Sequence, residues 1–277
     1  MSEPGNILAK KHFVHPLQII VSLVVFCALR QPVLAAAPTP EQEHLLTETR
    51  QSVETVDYRV SGRLTHIDAS GKRTNNKFSV KGHWFPDGLR LLVESTDPAG
   101  GISRALLHMT VSGHVTIDVA QAGSKAATPL PYDRWTEGLL GSDFSYEDLL
   151  ESQFFWKTQD FLPSADYSSR KCFVVQSTPD AADHSHYSSV TSWVDKDIFY
   201  PVHVIKTLRG GQKKEFNYFG FRQSDGAWAA THLEVKTQGA MESSVFVVER
   251  GTGKAKLTLK DFDLTAHSGK QDKSASE

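Results

Sequence analysis

The chain has 277 residues, 39% of them hydrophobic and 22% charged, with 30 Lys and Arg against 32 Asp and Glu. That balance excludes an extended disordered chain and a dedicated nucleic-acid binder, which need depleted apolar content or strongly skewed charge. Two cysteines, Cys27 and Cys172, are too few for a multi-bridge scaffold or a cysteine-rich zinc site.

The first segment reads as an export address. Lys10 and Lys11 precede the apolar run Leu17–Leu29, and the small residues Ala35, Ala36 and Ala37 follow it. Charge, greasy stretch and small residues in that order make a secretory signal peptide, assigned to residues 1–36. An uncleaved anchor is the alternative, but the apolar run is thirteen residues long, against the roughly twenty of a membrane-spanning helix. Val25 and Phe26 before Cys27 are too large for a lipid-attachment signal. Cleavage near Ala36 leaves 241 residues with 27 basic and 31 acidic side chains. A net charge of −4 argues against a binder of phosphate backbones or anionic membranes.

Thr39-Pro40-Glu41-Gln42 predicts a helix from about Pro40 to Val53, with Thr39 as cap, Pro40 at the first position and Gln42 completing a capping box. Its apolar positions, Leu45, Leu46 and Val53, form one narrow face, so it is expected to lie on something else. From Asp57 the period changes to two. Tyr58, Val60 and Leu64, then Phe78, Val80 and Trp84, alternate with polar residues around Ala69-Ser70-Gly71-Lys72. Strands at Leu89–Val93, Ser103–Thr110 and Gly113–Val119 complete a first meander.

Residues 121–133 read as a loop. In Gly141–Leu150 the spacing predicts a short helix starting at Tyr146, capped by Ser145, with Phe144 and Leu149 as a hydrophobic staple. Further strands are expected at Lys171–Ser177, Tyr187–Asp195, Val202–Leu208, Lys213–Phe221, Trp228–Lys236, Ser244–Arg250 and Lys254–Phe262, giving about twelve strands and two helices. Residues 37–266 are expected to form one domain, and 267–277 a polar tail.

Enzyme signatures are missing: there is no G-x-S-x-G elbow, no H-E-x-x-H, and no Walker or dinucleotide glycine pattern. His184 and His186 near Asp183 lack a third ligand at readable spacing, and Asp195 and Asp197 sit where a strand should turn, so no metal and no cofactor is expected. Asp143, Glu147 and Asp148 are explained as offsetting the positive end of a helix dipole. Cys172 is expected to be a small packed hydrophobe.

The informative feature is a surplus of large apolar residues on long strands with few helices to cover them. A curved sheet presents such residues to its own packing or to a guest. The candidate cavity lining is Phe78, Val80, Leu91, Val93, Leu107, Met109, Val115, Ile117, Phe216 and Tyr218. Leu91 and Leu92 are both apolar, so alternation alone leaves the inward face of that strand open.

The run Gly141-Ser-Asp-Phe-Ser-Tyr-Glu-Asp-Leu-Leu150, with Cys172-Phe-Val-Val, Pro179, Tyr187, Trp193-Val-Asp195, Pro201 and Lys214-Glu-Phe216, resembles the outer-membrane lipoprotein-sorting family, LolA-like proteins of the periplasm. The resemblance covers about Pro131 to Phe262. It implies a mainly β fold, a half-open antiparallel β-barrel of about 11–12 strands with two or more helices over its concave face. It also implies a monomeric periplasmic carrier, not an enzyme, that shelters lipoprotein or lipid acyl chains and exchanges them with an inner- or outer-membrane partner. Asp143, Ser145, Tyr146 and Asp148 match the family motif and are carried over as structural residues. The alternative is a non-catalytic envelope interaction module whose sheet is filled by its own side chains and which docks a membrane-protein partner.

Overall fold

A computed structural model describes residues 37–264 apart from 125 and 225. The expected signal peptide and polar tail therefore lie outside the described residues. The first element is the expected helix, α1 (Pro40–Glu54). The Thr39 side chain accepts from the Gln42 amide, and the Gln42 side chain accepts from the Thr39 amide. Leu45, Leu46, Thr49 and Val53 form its buried face.

The strands that follow are β1 (Asp57–Ile67), β2 (Arg73–Phe85), β3 (Gly88–Thr96), β4 (Ile102–Thr110), β5 (Val115–Ala120) and β6 (Thr128–Pro129). After a segment of 3-10 turns come β7 (Thr158–Tyr167), β8 (Arg170–Thr178), β9 (Tyr187–Asp195), β10 (Pro201–Leu208), β11 (Lys213–Phe219), β12 (Arg222–Ser224), β13 (Ala227–Ala229), β14 (His232–Thr237) and β15 (Ser243–Thr252). Thirteen of these form one sheet in the order β6-β5-β4-β3-β2-β1-β15-β14-β11-β10-β9-β8-β7, while β12 and β13 pair separately as a hairpin. All the pairings are antiparallel, and the sheet is not closed into a barrel.

The two meanders meet at β1 and β15. Their seam depends on Gly62, because a Cβ there would lie 1.9 Å from the Val247 carbonyl oxygen, and the ladder shifts register between Ser61 and Gly62. Topology then dictates the rest. β6 and β7 are the two free edges, yet they are neighbours in sequence, so residues 130–157 must travel from one edge of the sheet to the other. They do so over the concave face. The main apolar cluster joins Leu91, Leu107 and Ile117 of the first meander, Val204, Phe216 and Val235 of the second, and Trp135, Phe144 and Leu150 of the crossing segment. Helix α1 covers the β8–β9 end of the same sheet, with Leu45 and Leu46 against Phe154, Phe173, Val175 and Val194.

The Leu91–Leu92 ambiguity resolves into two buried faces. Leu91 belongs to the concave cluster, whereas Leu92 packs with Leu257, Phe262 and Leu264 on the opposite side. The expected strand at Lys254–Phe262 is instead a non-laddered strap ending in a 3-10 turn at Leu259–Phe262. Its amides are satisfied by a side chain: Asp57 accepts from Lys256 at 2.9 Å and Leu257 at 3.2 Å. The expected strand Trp228–Lys236 is likewise two pieces, β13 and β14, separated by Ala230 and Thr231.

Candidate functional site

The crossing segment is fastened by the residues of the Gly141–Leu150 run. Lys206 and Lys214 stand opposite each other on β10 and β11, an arrangement in which like charges repel. Asp148 resolves it. Lys214 Nζ donates to Asp148 Oδ2 at 2.6 Å, Lys206 Nζ donates to the Asp148 carbonyl at 3.1 Å, and the Tyr187 hydroxyl donates to Asp148 Oδ1. Burial alone would raise the Asp148 carboxyl, but the two ammonium groups and these hydrogen bonds outweigh it and hold the group at about 2.

Neighbouring motif residues make parallel ties. The Asp143 amide donates to Ser244 Oγ at 3.0 Å, the Ser244 hydroxyl donates back to Asp143 Oδ2 at 2.6 Å, and His66 Nδ1 lies 3.1 Å from that oxygen. Glu147 accepts from the Ser185 hydroxyl and the His186 amide, and Tyr132 stacks on the His186 ring at 3.9 Å. Tyr146 is buried in the main cluster. The expected helix from Tyr146 is only a 3-10 turn, Glu147–Leu149. Half of its cap is made, since Asp148 Oδ2 accepts the Ser145 amide at 2.7 Å, but the Asp148 amide bonds the Ser145 carbonyl at 3.2 Å and not the hydroxyl. Asp148 thus serves strand residues across the fold and Glu147 serves Ser185 and His186 at the entry to β9, which replaces the helix-dipole explanation for them.

All ten candidate lining residues fall in the concave cluster. Phe78, Val80, Leu91, Val93, Leu107, Met109, Ile117 and Phe216 are buried in it, while Val115 and Tyr218 keep partial exposure. Val93 and Leu107 have no exposed surface at all, and Trp135, Leu139, Phe144 and Leu150 of the crossing segment belong to the same cluster. The middle strands differ. Tyr58 on β1, Phe246 on β15, Leu233 on β14 and Tyr218 on β11 pack against the same cluster yet remain partly exposed. The Tyr58 ring lies over Gly82, where a Cβ would approach it to 2.8 Å, so a glycine on β2 makes room for this aromatic.

A side chain that alternation does not single out, Glu151, follows the Glu147–Leu149 turn of the crossing segment. It is partly exposed and receives no hydrogen bond from any described residue. Burial pushes its carboxyl up to about 6, with the charge on Lys206 acting the other way. Tyr58, Tyr200 and Tyr218 are raised by burial and by the nearby Glu151 charge, so their hydroxyls stay protonated. The Tyr200 and Tyr218 rings meet edge to face with centroids 5.9 Å apart.

Two shallow surface hollows are present, of about 380 Å³ beside Asp166, Lys171 and Cys172 and about 260 Å³ beside Arg170, Tyr218 and Phe221. No group of three His, Cys, Asp or Glu placed to hold a metal ion occurs among the described residues. Asp195 accepts from the Asp197 and Ile198 amides and from Arg170, the work of a turn carboxylate. Cys172 is buried, and burial followed by the Asp195 charge pushes its thiol up to about 11.

No described helix is long and apolar enough to cross a membrane. A family model described as an uncharacterized protein matches residues 131–266, the half in which the motif lies. No curated protein matches the chain. Solved structures do. An outer membrane lipoprotein-sorting protein domain from Vibrio parahaemolyticus is 19% identical, with a TM-score of 0.72 over 79% of this chain and 95% of its own. A DUF1329 family protein from Desulfovibrio piger is 18% identical, with a TM-score of 0.72 over 80% of this chain and 95% of its own. A LolA superfamily protein from Nitrosomonas europaea is 16% identical, with a TM-score of 0.60 over 80% and 96%. The chain therefore has the open antiparallel fold of the outer-membrane lipoprotein-sorting and LolA superfamily structures, and its second half matches an uncharacterised family.

Proposed function

We propose that this is an exported envelope protein that shelters an acyl chain of a lipid or lipoprotein on its concave face, without turnover. The observation that carries the reading is the division of that face. One half is sealed by residues 130–157, and over the middle strands Leu233, Phe246, Tyr58 and Tyr218 remain partly open. At about 0.8 kcal/mol per CH₂, a chain of about sixteen carbons contributes roughly 10 kcal/mol before ordering costs. Apolar surface alone is then enough to hold a guest. A chain lies along these partly exposed residues, and the face beneath the crossing segment becomes available as the Asp148 and Asp143 ties loosen. Discharge to a membrane partner requires a second state with lower affinity, since a ligand held equally by two states shifts neither. On this reading the protein acts as a periplasmic monomer once residues 1–36 are removed.

A fluorescent fatty-acid titration tests it. Leu233→Asp places a charge at a partly exposed position on β14, where water still reaches, and is expected to weaken binding by at least about tenfold with the fold retained. Substitution at Leu91 or Ile117 would not discriminate, because both are buried and a charge there unfolds the protein on any reading. Absence of binding to the wild type, or equal binding by Leu233→Asp, overturns the proposal. Complete burial of Val93, Leu107 and Met109 under the chain's own segment favours a second reading, the filled interaction module. That reading predicts a wild type that takes up no amphiphile under any condition.

A further inference from the structure

The hollow of about 260 Å³ joins the turn between β7 and β8 to the concave cluster: Tyr167, Ser168 and Arg170 of that turn line it, and so does Tyr218, which packs against the cluster. A contiguous set of rings runs the same way. The Arg170 guanidinium lies over the Phe221 ring at 4.5 Å, Phe221 meets Tyr200 edge to face at 5.7 Å, and Tyr200 meets Tyr218 at 5.9 Å. From Tyr218 the sheet register continues the path. Tyr218 on β11 stands opposite Leu233 on β14, Leu233 opposite Phe246 on β15, and Phe246 opposite Leu64 on β1. Three strand spacings make this row about 14 Å long.

Arg170 is held in place by the fold. Ser168 and Ser169 both adopt left-handed backbone, with φ of 48° and 67°, in the tight turn that sets Arg170 opposite Tyr167. Its Nη1 donates to Asp195 Oδ2 at 2.6 Å. Asp195 is itself committed to the chain, because its Oδ1 accepts the Asp197 and Ile198 amides at 2.8 and 3.2 Å, which offset part of its charge. That pairing accounts for one of the five N–H groups of a guanidinium, and the side chain keeps 35% of its surface exposed. The Tyr167 hydroxyl, by contrast, donates to Asn217 at 2.6 Å, so Tyr167 gives the hollow a ring and not a donor. Arg170 is the charged side chain among the residues that line the hollow, and Phe219 and Phe221 complete its apolar wall.

A guanidinium stays charged at every physiological pH and presents a planar fork of donors, which selects anionic oxygens. Apolar walls select an alkyl chain joined to them. We propose that this hollow receives the anionic head of an alkyl amphiphile, a carboxylate or phosphate held by Arg170, with its tail passing Tyr218 along Leu233 and Phe246. This deepens the proposed function and rests on it, since the tail occupies the same partly exposed residues of the concave face.

Calorimetric titration with four twelve-carbon probes below micelle formation tests it: dodecanoate and dodecyl phosphate as anions, dodecyl maltoside as the neutral chain and dodecyltrimethylammonium as the cation. The wild type is expected to bind both anions at least about tenfold more tightly than the other two at pH 7.5 and low salt, with the preference narrowing as salt rises. Arg170→Gln is expected to bring all four within about threefold while leaving the maltoside unchanged. Because that variant also takes a partner from Asp195, a second pair keeps the test independent of folding. Phe219 is 44% exposed, and Phe219→Glu adds a negative charge at the wall where Phe219→Gln adds none. Phe219→Glu is expected to weaken both anions at least about fivefold relative to Phe219→Gln, with the maltoside equal in the two. Equal affinities for anions and maltoside in the wild type, or anion binding that is the same in Phe219→Glu and Phe219→Gln, overturn the inference while leaving the carrier reading intact. Failure of all four probes to bind overturns both. Vesicles identify the source of the head: selective extraction of phosphatidylglycerol over phosphatidylcholine assigns it to a bilayer lipid, and binding of dodecanoate without extraction assigns it to a free fatty acid.

Discussion

Lys214 on β11 and Asp148 on the crossing segment meet at 2.6 Å between Nζ and Oδ2, with Lys206 on the adjoining strand 3.6 Å from the other carboxylate oxygen. A segment that topology forces across the open face is thereby fixed by one carboxylate shared between two strands.

Asp148→Asn leaves two buried ammonium groups without a counter-charge. Breaking a buried pair in this way costs about 3–5 kcal/mol, read as a fall in the free energy of urea-induced unfolding. Lys214→Met in the Asp148→Asn background should recover part of the loss, because one of the stranded charges is gone. A change of under about 1 kcal/mol on Asp148→Asn would show that the tie does not hold the segment.

The same carboxylate governs the acid limb of stability. Asp148 is depressed to about 2 in the folded chain, against about 4 when unfolded. Its contribution is complete above about pH 4 and is lost as pH falls toward 2, where the folded form also takes up the proton. Thermal melts between pH 5 and 2 should show this loss in the wild type and a shallower one in Asp148→Asn.

Glu151 has the opposite sign. Its carboxyl is raised to about 6 in the folded chain, above an unfolded value of about 4.3, so the folded state is favoured by protonation. Stability should decline as pH rises from about 4 to 6 and then level off. Glu151→Gln is expected to raise stability at pH 7 by about 1 kcal/mol and to remove that decline. Chemical denaturation at several pH values checks both.

The outer face is separable from the concave one. Phe262 lies in the strap and packs with Leu92, Leu257 and Leu264, apart from the concave cluster. Phe262→Ala should cost about 3 kcal/mol through the cavity it leaves, with fatty-acid affinity unchanged at temperatures where the protein is folded. A parallel loss of affinity would mean that the two faces are coupled.

Elements with local chemistry were legible in the sequence. The Thr39–Gln42 box fixes the start of α1, and alternation on β1, β2 and β8–β11 locates most of the sheet. β7 was not legible, because Pro163 falls where the ladder slips between Leu162 and Ala165 and most of the strand is exposed. Ala255, Leu257 and Leu259 alternate as a strand would, yet the partner of that backbone is the Asp57 side chain and not another strand. Period two sorts the residues of each strand into two faces, but with both Leu91 and Leu92 apolar it does not say which face of β3 is inward. Which of them are covered depends on a segment whose path is set by the two sheet edges, a property of topology that no local pattern contains. Glu151 was illegible for a related reason: beside a short polar turn it reads as a surface acid, and only the fold buries it enough to raise its carboxyl.

Native mass spectrometry of the protein purified gently from its own envelope tests the central claim most directly. The account predicts a species heavier than the bare chain by the mass of an amphiphile, diminished in Leu233→Asp. Bare protein only, unchanged after incubation with a fatty acid, would contradict it and leave a sheet filled by its own side chains.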